Sequence, residues 1–375
     1  MDGVVPVKGC DIADEIGRFD TQTPVDMASM PPASWYVEPA FYRLEVARVF
    51  CRAWHPVVRV DQVGKNGAYV SGSLPGLLWL VLRDHEGELR AFHNVCRHKA
   101  AELLSGEGIL GEEIVCPYHA WSYRPDGCLR RATNAGAMTG FDRHTAGLKP
   151  LRLAVWGPYV FVCADDSVPA LRDQVTEMDV LLEESGWHGL RWVRRRAYSI
   201  ACNWKVFVDN YLDGGYHVPY VHPSLHGQLE MSGYETRLHR HSVVQLCSVT
   251  QQPTGEDVLS ATERIGDGAV YGWLHPLFMF NRYGPVLDTH IVIPRGPDRT
   301  EVIFDFFFDP EVDDAFIEAS IAQSHVTQEE DIRISESVQR GLVSGAYTPG
   351  RYSPRWEKGE HFFHRLLASE YLGNS

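Results

Sequence analysis

The sequence has no long apolar run. Its longest candidate, GLLWLVL at 76–82, is strand-sized and far short of the roughly 18 apolar residues of a membrane helix. No membrane association is expected. The opening MDGVVPVKGCDIADE is acidic and lacks a continuous apolar core. It resembles neither a secretory signal nor an Arg/Ser-rich transit peptide, and a cytoplasmic location is expected. Positive charge is also scarce: 35 Lys and Arg face 49 Asp and Glu, a formal charge of −14, which argues against a nucleic-acid partner. The one basic knot, RWVRRR at 191–196, reads as a solvated strand edge, or else as a docking patch for an acidic redox protein. Cysteines are scattered, at 10, 51, 96, 116, 128, 163, 202 and 247, without the spacing of a disulfide framework. Internal repeats and low-complexity tracts are missing as well.

What is there suits a globular protein of two parts. A chain of 375 residues with 44% hydrophobic content can bury two sizeable cores. Residues 1–45 read as an irregular arm, with a short helix near EPAFYRLEVARVF, that packs on the C-terminal part. From 46 to 165 short β-rich pieces such as WHPVVRV, LLWLVLRD and WGPYVFVCAD alternate with Gly, Asp and Asn, the pattern of a small antiparallel β domain. Residues 166–375 mix strands (VVQLCSV, THIVIP, EVIFDFFFD) with one long or two abutting C-terminal helices. In that helical stretch Thr327 and Glu330 offer a capping box, and Ile334, Val338 and Leu342 recur every four residues. The expected class is α+β.

The segment NVCRHKAAELLSGEGILGEEIVCPYHAWSY holds Cys96-x-His98, seventeen intervening residues, then Cys116-x-x-His119. Two thiolates and two imidazoles suit zinc or an iron–sulfur cluster. Zinc fingers group like with like, whereas each short turn here offers one Cys and one His. A Rieske [2Fe–2S] centre needs that split, two cysteines on one iron and two histidines on the other. Within the same segment GEGILG at 106–111 satisfies G-x-G-x-x-G, but it runs into EEIVCPYH rather than opening a helix, so it is read as a loop between hairpins. No other nicotinamide or flavin signature is evident, and electrons are expected from another protein.

A second constellation lies in DNYLDGGYHVPYVH at 209–222. Asp209, Asp213 and His217 are four apart and would stack on one face of a helix. Five residues separate His217 from His222, about 140° on a helix, yet Pro219 forbids a helix interior there, so the chain can fold back and bring the imidazoles together. Two histidines and a carboxylate form the facial triad of non-haem Fe(II) oxygenases. Glu329, Glu330 and Asp331 in QEEDIRISESVQRGL are the candidate acids, although acids also favour the first turn of a helix for electrostatic reasons alone.

CRH, CPYHAWSY, CNWKVFVDNYLDGGYHVPYVH, FMFNRYGP and EEDIRISESVQRGL together resemble the α subunits of Rieske non-haem iron oxygenases, closest to the choline monooxygenase-like branch, from about 40 to 370. The resemblance implies an N-terminal antiparallel β Rieske domain and a C-terminal helix-grip (START-like) catalytic domain with an antiparallel sheet. It implies that Cys96, His98, Cys116 and His119 bind the cluster and that His217, His222 and Asp331 bind a mononuclear iron, with dioxygen as co-substrate. A ferredoxin or flavin reductase would supply electrons to a homotrimer. The family commonly links the two centres through an acid three places before the first iron histidine. Here that place is Gly214, so Asp213 is expected to bridge, with Asp209 in reserve. Ala120 stands where glycine is frequent after the second histidine, and Lys99 at another place where glycine is common.

The implied reaction is hydroxylation of a small organic substrate, with a quaternary ammonium compound such as choline as the candidate (monooxygenation or oxidative N-dealkylation). Aromatic faces hold such cations, and Trp273, Phe278, Phe280 and Tyr283 are the candidate rings. The alternatives are an oxygenase for an aromatic or other small substrate, a zinc-containing helix-grip ligand-binding protein, and an electron carrier.

Overall fold

The computed structural model describes residues 11–222, 229–248, 266 and 268–373. Its contacts divide the chain into two units, Phe50–Leu171 on one side and, on the other, the segment up to Val49 together with that from Arg172 onward. The chain enters through helices α1 (Ile12–Gly17), α2 (Ser34–Val37) and α3 (Pro39–Arg48), so the expected break after 45 falls inside a helix.

The 50–171 unit consists of three antiparallel sheets. Strands β1 (His55–Arg59), β9 (Arg152–Trp156) and β10 (Tyr159–Cys163) form the first, in the order β1-β10-β9. The second contains β2 (Ala68–Leu74), β3 (Leu77–Arg83), β4 (Leu89–His93) and β5 (Glu107–Ile109), in the order β4-β3-β2-β5. Pro75 and Gly76 close the β2–β3 hairpin, and Gly76 takes the left-handed backbone (φ 78°) that a turn of this kind demands. GEGILG is indeed no nucleotide loop: its middle is β5, paired with β2, and no helix follows. The third sheet joins β6 (Ile114–Val115), β7 (Ser122–Tyr123) and β8 (Leu129–Arg131). Leu80, Leu82, Phe92, Ile114 and Tyr123 pack around the buried Cys96 and Cys116, so the apolar core holds the two hairpin tips in place.

The other unit is built on seven antiparallel strands, β11 (Arg191–Ile200), β12 (Glu235–Leu238), β13 (Ser242–Ser248), β14 (Gly268–Leu274), β15 (Phe278–Tyr283), β16 (Val286–Pro294) and β17 (Thr300–Phe308), in the order β11-β17-β16-β15-β14-β13-β12. The basic knot lies on the edge strand β11, where Arg194 pairs with Glu318 and Arg195 with Asp305. Beyond α4 (Leu171–Glu184), α5 (Trp204–Leu212) and α6 (Val218–Val221), a single 30-residue helix, α7 (Asp314–Val343), packs against α5 and β11. Helix α8 (Lys358–Leu372) covers α3, α5 and β12. A long helix held against an antiparallel sheet is the expected helix-grip arrangement.

Thr327 and Glu330 do not cap anything. Helix α7 starts earlier, at the N-cap Asp313, whose side chain accepts from the Phe316 N–H at 2.8 Å. Thr327 lies in the helix interior and donates back to the Gln323 carbonyl. Asp331 is therefore also an interior residue, and helix-terminus electrostatics do not explain it.

Candidate metal centres and substrate cavity

Each Cys/His pair sits on a tight turn. The Ala100 N–H donates to the Cys96 carbonyl (3.0 Å), and the Ala120 N–H to the Cys116 carbonyl (3.1 Å). Ala120 (φ 53°) occupies the left-handed backbone that favours glycine, as its place in the motif suggests. In the first turn that role falls to Ala100 (φ 58°) and not to Lys99. Cys96 and Cys116 are both 2% exposed, and the His98 and His119 rings lie 4.7 Å apart. Nδ1 of each of these histidines is buried without a hydrogen-bond partner. Two orphaned imidazole nitrogens on the same two turns as two buried thiols are a costly arrangement unless a metal cluster completes it. Trp121 stacks on His98 (4.7 Å, 5°) and fixes the ring, while the Tyr123 hydroxyl lies 3.2 Å from the Cys96 sulfur and accepts from the Arg97 N–H.

The second centre rests on a break in the backbone. Helix α5 ends at Leu212 with Asp213 as its C-cap, and Gly214 (φ 70°) and Gly215 (φ 77°) turn the chain. His217 is thus not on the α5 face, as the spacing of four predicts, but is the N-cap of α6. Pro219 does not end a helix; it sits in the first turn of this one, where its missing N–H costs nothing. His222 caps the other end, so the two histidines flank a one-turn helix with their rings 5.0 Å apart.

Their outer nitrogens are engaged. His217 Nδ1 donates to Asp213 Oδ2 at 2.6 Å, and His222 Nδ1 to Glu330 Oε2 at 2.7 Å. This leaves Nε2 of both rings facing Asp331, whose Oδ1 lies 3.1 Å from His222 and 3.8 Å from His217. Asn210 donates to the same oxygen at 2.7 Å. All three ligand atoms lie within 4.8 Å of one another. Carboxylates behind both imidazoles are the usual backing of histidine ligands, since they fix the tautomer and raise ligand basicity. The donor set therefore fits a divalent iron. Burial alone depresses both imidazoles, but Asp213 and Asp331 outweigh it at His217, and Asp331 and Glu330 do so at His222. Both rings end above their ordinary values, so protons compete with a metal.

Gly214 explains the displaced acid. A Cβ there would run into the Trp356 carbonyl, on a backbone that side chains rarely adopt. An acid is thus barred from position 214, whereas Asp213 reaches His217 directly. Asp209 is engaged with other groups: it accepts from the Tyr36 hydroxyl (2.8 Å) and lies 3.0 Å from His364 Nε2.

A cavity of about 120 Å³ opens beside His217, His222 and Asp331. Phe207, Tyr211, Tyr234, Tyr271 and Phe304 supply its aromatic surface, and Gln245, Asn281 and His290 its polar one.

Residues 53–142 match the Rieske [2Fe-2S] domain, and residues 188–373 the ring hydroxylating alpha subunit (catalytic domain). The chloroplastic choline monooxygenase of Arabidopsis thaliana is 42% identical over 373 residues, covering 95% of this chain and 86% of that one. The chain belongs to the Rieske non-haem iron oxygenases. This oxygenase is also 31% identical to the carnitine monooxygenase oxygenase subunit of Escherichia coli (strain K12), over 91% of this chain and 93% of that one. The solved structure of a quaternary ammonium Rieske monooxygenase matches it with a TM-score of 0.82 at 27% identity, covering 92% of this chain and 96% of that one. A Rieske [2Fe–2S] cluster, a mononuclear iron and dioxygen are therefore its cofactors and co-substrate, and it takes electrons from a partner protein. Family membership removes the zinc-binding and electron-carrier alternatives. Among the described residues no helix is long and apolar enough to cross a membrane.

None of the four rings expected to hold substrate lines the oxygenase's cavity. Phe278 and Phe280 have the opposite strand parity to Asn281 and point to the other face of the sheet. Trp273 shares the face of Tyr271 but is covered by Phe363 of α8, 5.4 Å away. Tyr283 is not among the lining residues; its hydroxyl donates to Asp288, whose other oxygen lies 3.2 Å from His290 Nε2. The sequence reading passed over Tyr211, Tyr234, Tyr271, Gln245 and His290. Only Tyr211, inside the DNYLDGG motif, carried a signal that could have found it; the others require the strand pairing.

Proposed function

We propose that this oxygenase hydroxylates a small quaternary ammonium compound of the choline type. Cys96, His98, Cys116 and His119 would hold the cluster, and His217, His222 and Asp331 the mononuclear iron. Asp213 is the candidate acid for passing electrons to the iron site, because its Oδ2 accepts from His217 Nδ1 at 2.6 Å. A ferredoxin or flavin reductase as donor and a homotrimeric assembly are part of the same proposal.

The bound metals supply dioxygen activation with electrons relayed one at a time. The chain supplies the rest. Asp213 and Glu330 orient the imidazoles, Asn210 holds Asp331 in one rotamer, and the aromatic walls keep water away from the reacting carbon. The observation that carries the substrate class is the cavity's chemistry. Five aromatic rings surround a site whose described lining includes Asp331 and neither Lys nor Arg. Such a surface attracts a desolvated cation by about 2 kcal/mol or more. The volume, near the roughly 150 Å³ that accepts a benzene-sized guest, favours a compact one.

Coupled oxygen uptake with a matched donor, run against choline, betaines, carnitine and aromatic acids, tests the reading. Uptake matched by product is expected with a trimethylammonium compound. Productive turnover of aromatic acids alone would overturn it.

A further inference from the structure

Gln245, on β13, is 1% exposed and lines the iron-site cavity. Its Nε2 donates to the Tyr211 carbonyl at 2.9 Å. A carbonyl can only accept, so the amide orientation is fixed and the oxygen is left over. That Oε1 is buried with no hydrogen-bond partner. His290, on β16 and 5% exposed, lines the same cavity. Its Nε2 lies 3.2 Å from the acceptor Asp288 Oδ1 and 3.4 Å from the donor Asn281 Nδ2. Nδ1 too is buried without a partner. The same cavity is lined by Gln328, 4% exposed, whose Nε2 donor is likewise buried without a partner.

Natural proteins rarely leave buried acceptors unpaired, and when they do at a binding site a ligand donor completes them. A bare alkyl group would leave both amide groups unmet, whereas a ligand hydroxyl both donates and accepts. We infer that Gln245 Oε1 binds a hydroxyl donor of the substrate, so that the site selects a cationic alcohol over its hydroxyl-free analogue. The inference rests on the quaternary ammonium reading above and narrows it to one chemical type. Gln245 is a binding residue in this role, with Tyr211 positioning it through its carbonyl.

The test is equilibrium binding to anaerobic, iron-loaded oxygenase of two trimethylammonium probes: choline and ethyltrimethylammonium (choline without the hydroxyl). The wild type is expected to bind choline about tenfold more tightly than ethyltrimethylammonium, the size of one neutral hydrogen bond. In Gln245→Met the choline preference is expected to vanish while ethyltrimethylammonium binding changes less than about twofold. Gln245→Leu makes the same measurement if the Met variant fails to fold. Equal binding of choline and ethyltrimethylammonium by the wild type, or an equal loss of both in the variant, would overturn the hydroxyl assignment while leaving the cation reading in place. If neither probe binds, the substrate class itself is wrong and this inference falls with it.

Discussion

At the scale of single residues, the iron-site candidate depends as much on what stands behind the ligands as on the ligands. Glu330 and Asp331 are neighbours on α7, yet they play different parts: Asp331 Oδ1 faces both Nε2 atoms, and Glu330 braces His222 from its far side. The sequence offered three consecutive acids and no means of ranking them, because the choice depends on the rotation of α7 against α6. Glu330→Ala removes the brace without touching a ligand atom. It is expected to weaken iron binding 10- to 100-fold, the usual effect of losing such a partner, with the cluster's visible spectrum unchanged. Titration of apo-protein with ferrous iron checks this, and unaltered affinity would assign Glu330 no part in the site. The same scale explains the missing family acid, since the Trp356 carbonyl leaves no room for a side chain at 214.

The elements show why some of the reading succeeded and some did not. Strand runs such as LLWLVLRD and EVIFDFFFD were legible because apolar β-branched and aromatic residues betray buried strands locally. The Cys/His hairpin tips were legible because their ligand order is itself chemical information. Spacing of four misled at Asp209–Asp213–His217, where two glycines break the helix, and again at Thr327–Glu330, where a capping pattern occurs inside a continuous helix. These two views of α7 predict different stabilities. Asp313→Ala is expected to cost about 1 kcal/mol, as loss of a real N-cap does. Thr327→Ala, an interior exchange to a better helix former, is expected to cost less than about 0.5 kcal/mol. Thermal or denaturant unfolding of the two variants decides the matter, and a larger loss at Thr327 would move the helix start.

For the whole molecule, the substrate cavity is the part that a linear reading could not assemble. Its walls come from α5, α7 and strands β13 to β17, so which aromatic ring faces it depends on parity and register across the sheet. The N-terminal segment was equally opaque. Glu45 of α3 accepts from Trp204 (2.8 Å) and Tyr371 (2.6 Å) and is paired with the fully buried Lys205, a contact between residues remote in sequence. Nothing in EPAFYRLEVARVF announces it. The two metal sites, by contrast, are both written as short motifs, and the central claim is that both are filled with iron. Iron and labile-sulfide analysis, with EPR of the reduced protein, should be done on the anaerobically purified wild type and on His217→Ala. About three irons and two sulfides per chain are expected for the wild type, and about two irons, two sulfides and an unchanged cluster signal for the variant. A variant that keeps its third iron, or a wild type that carries zinc and no sulfide, would contradict the account.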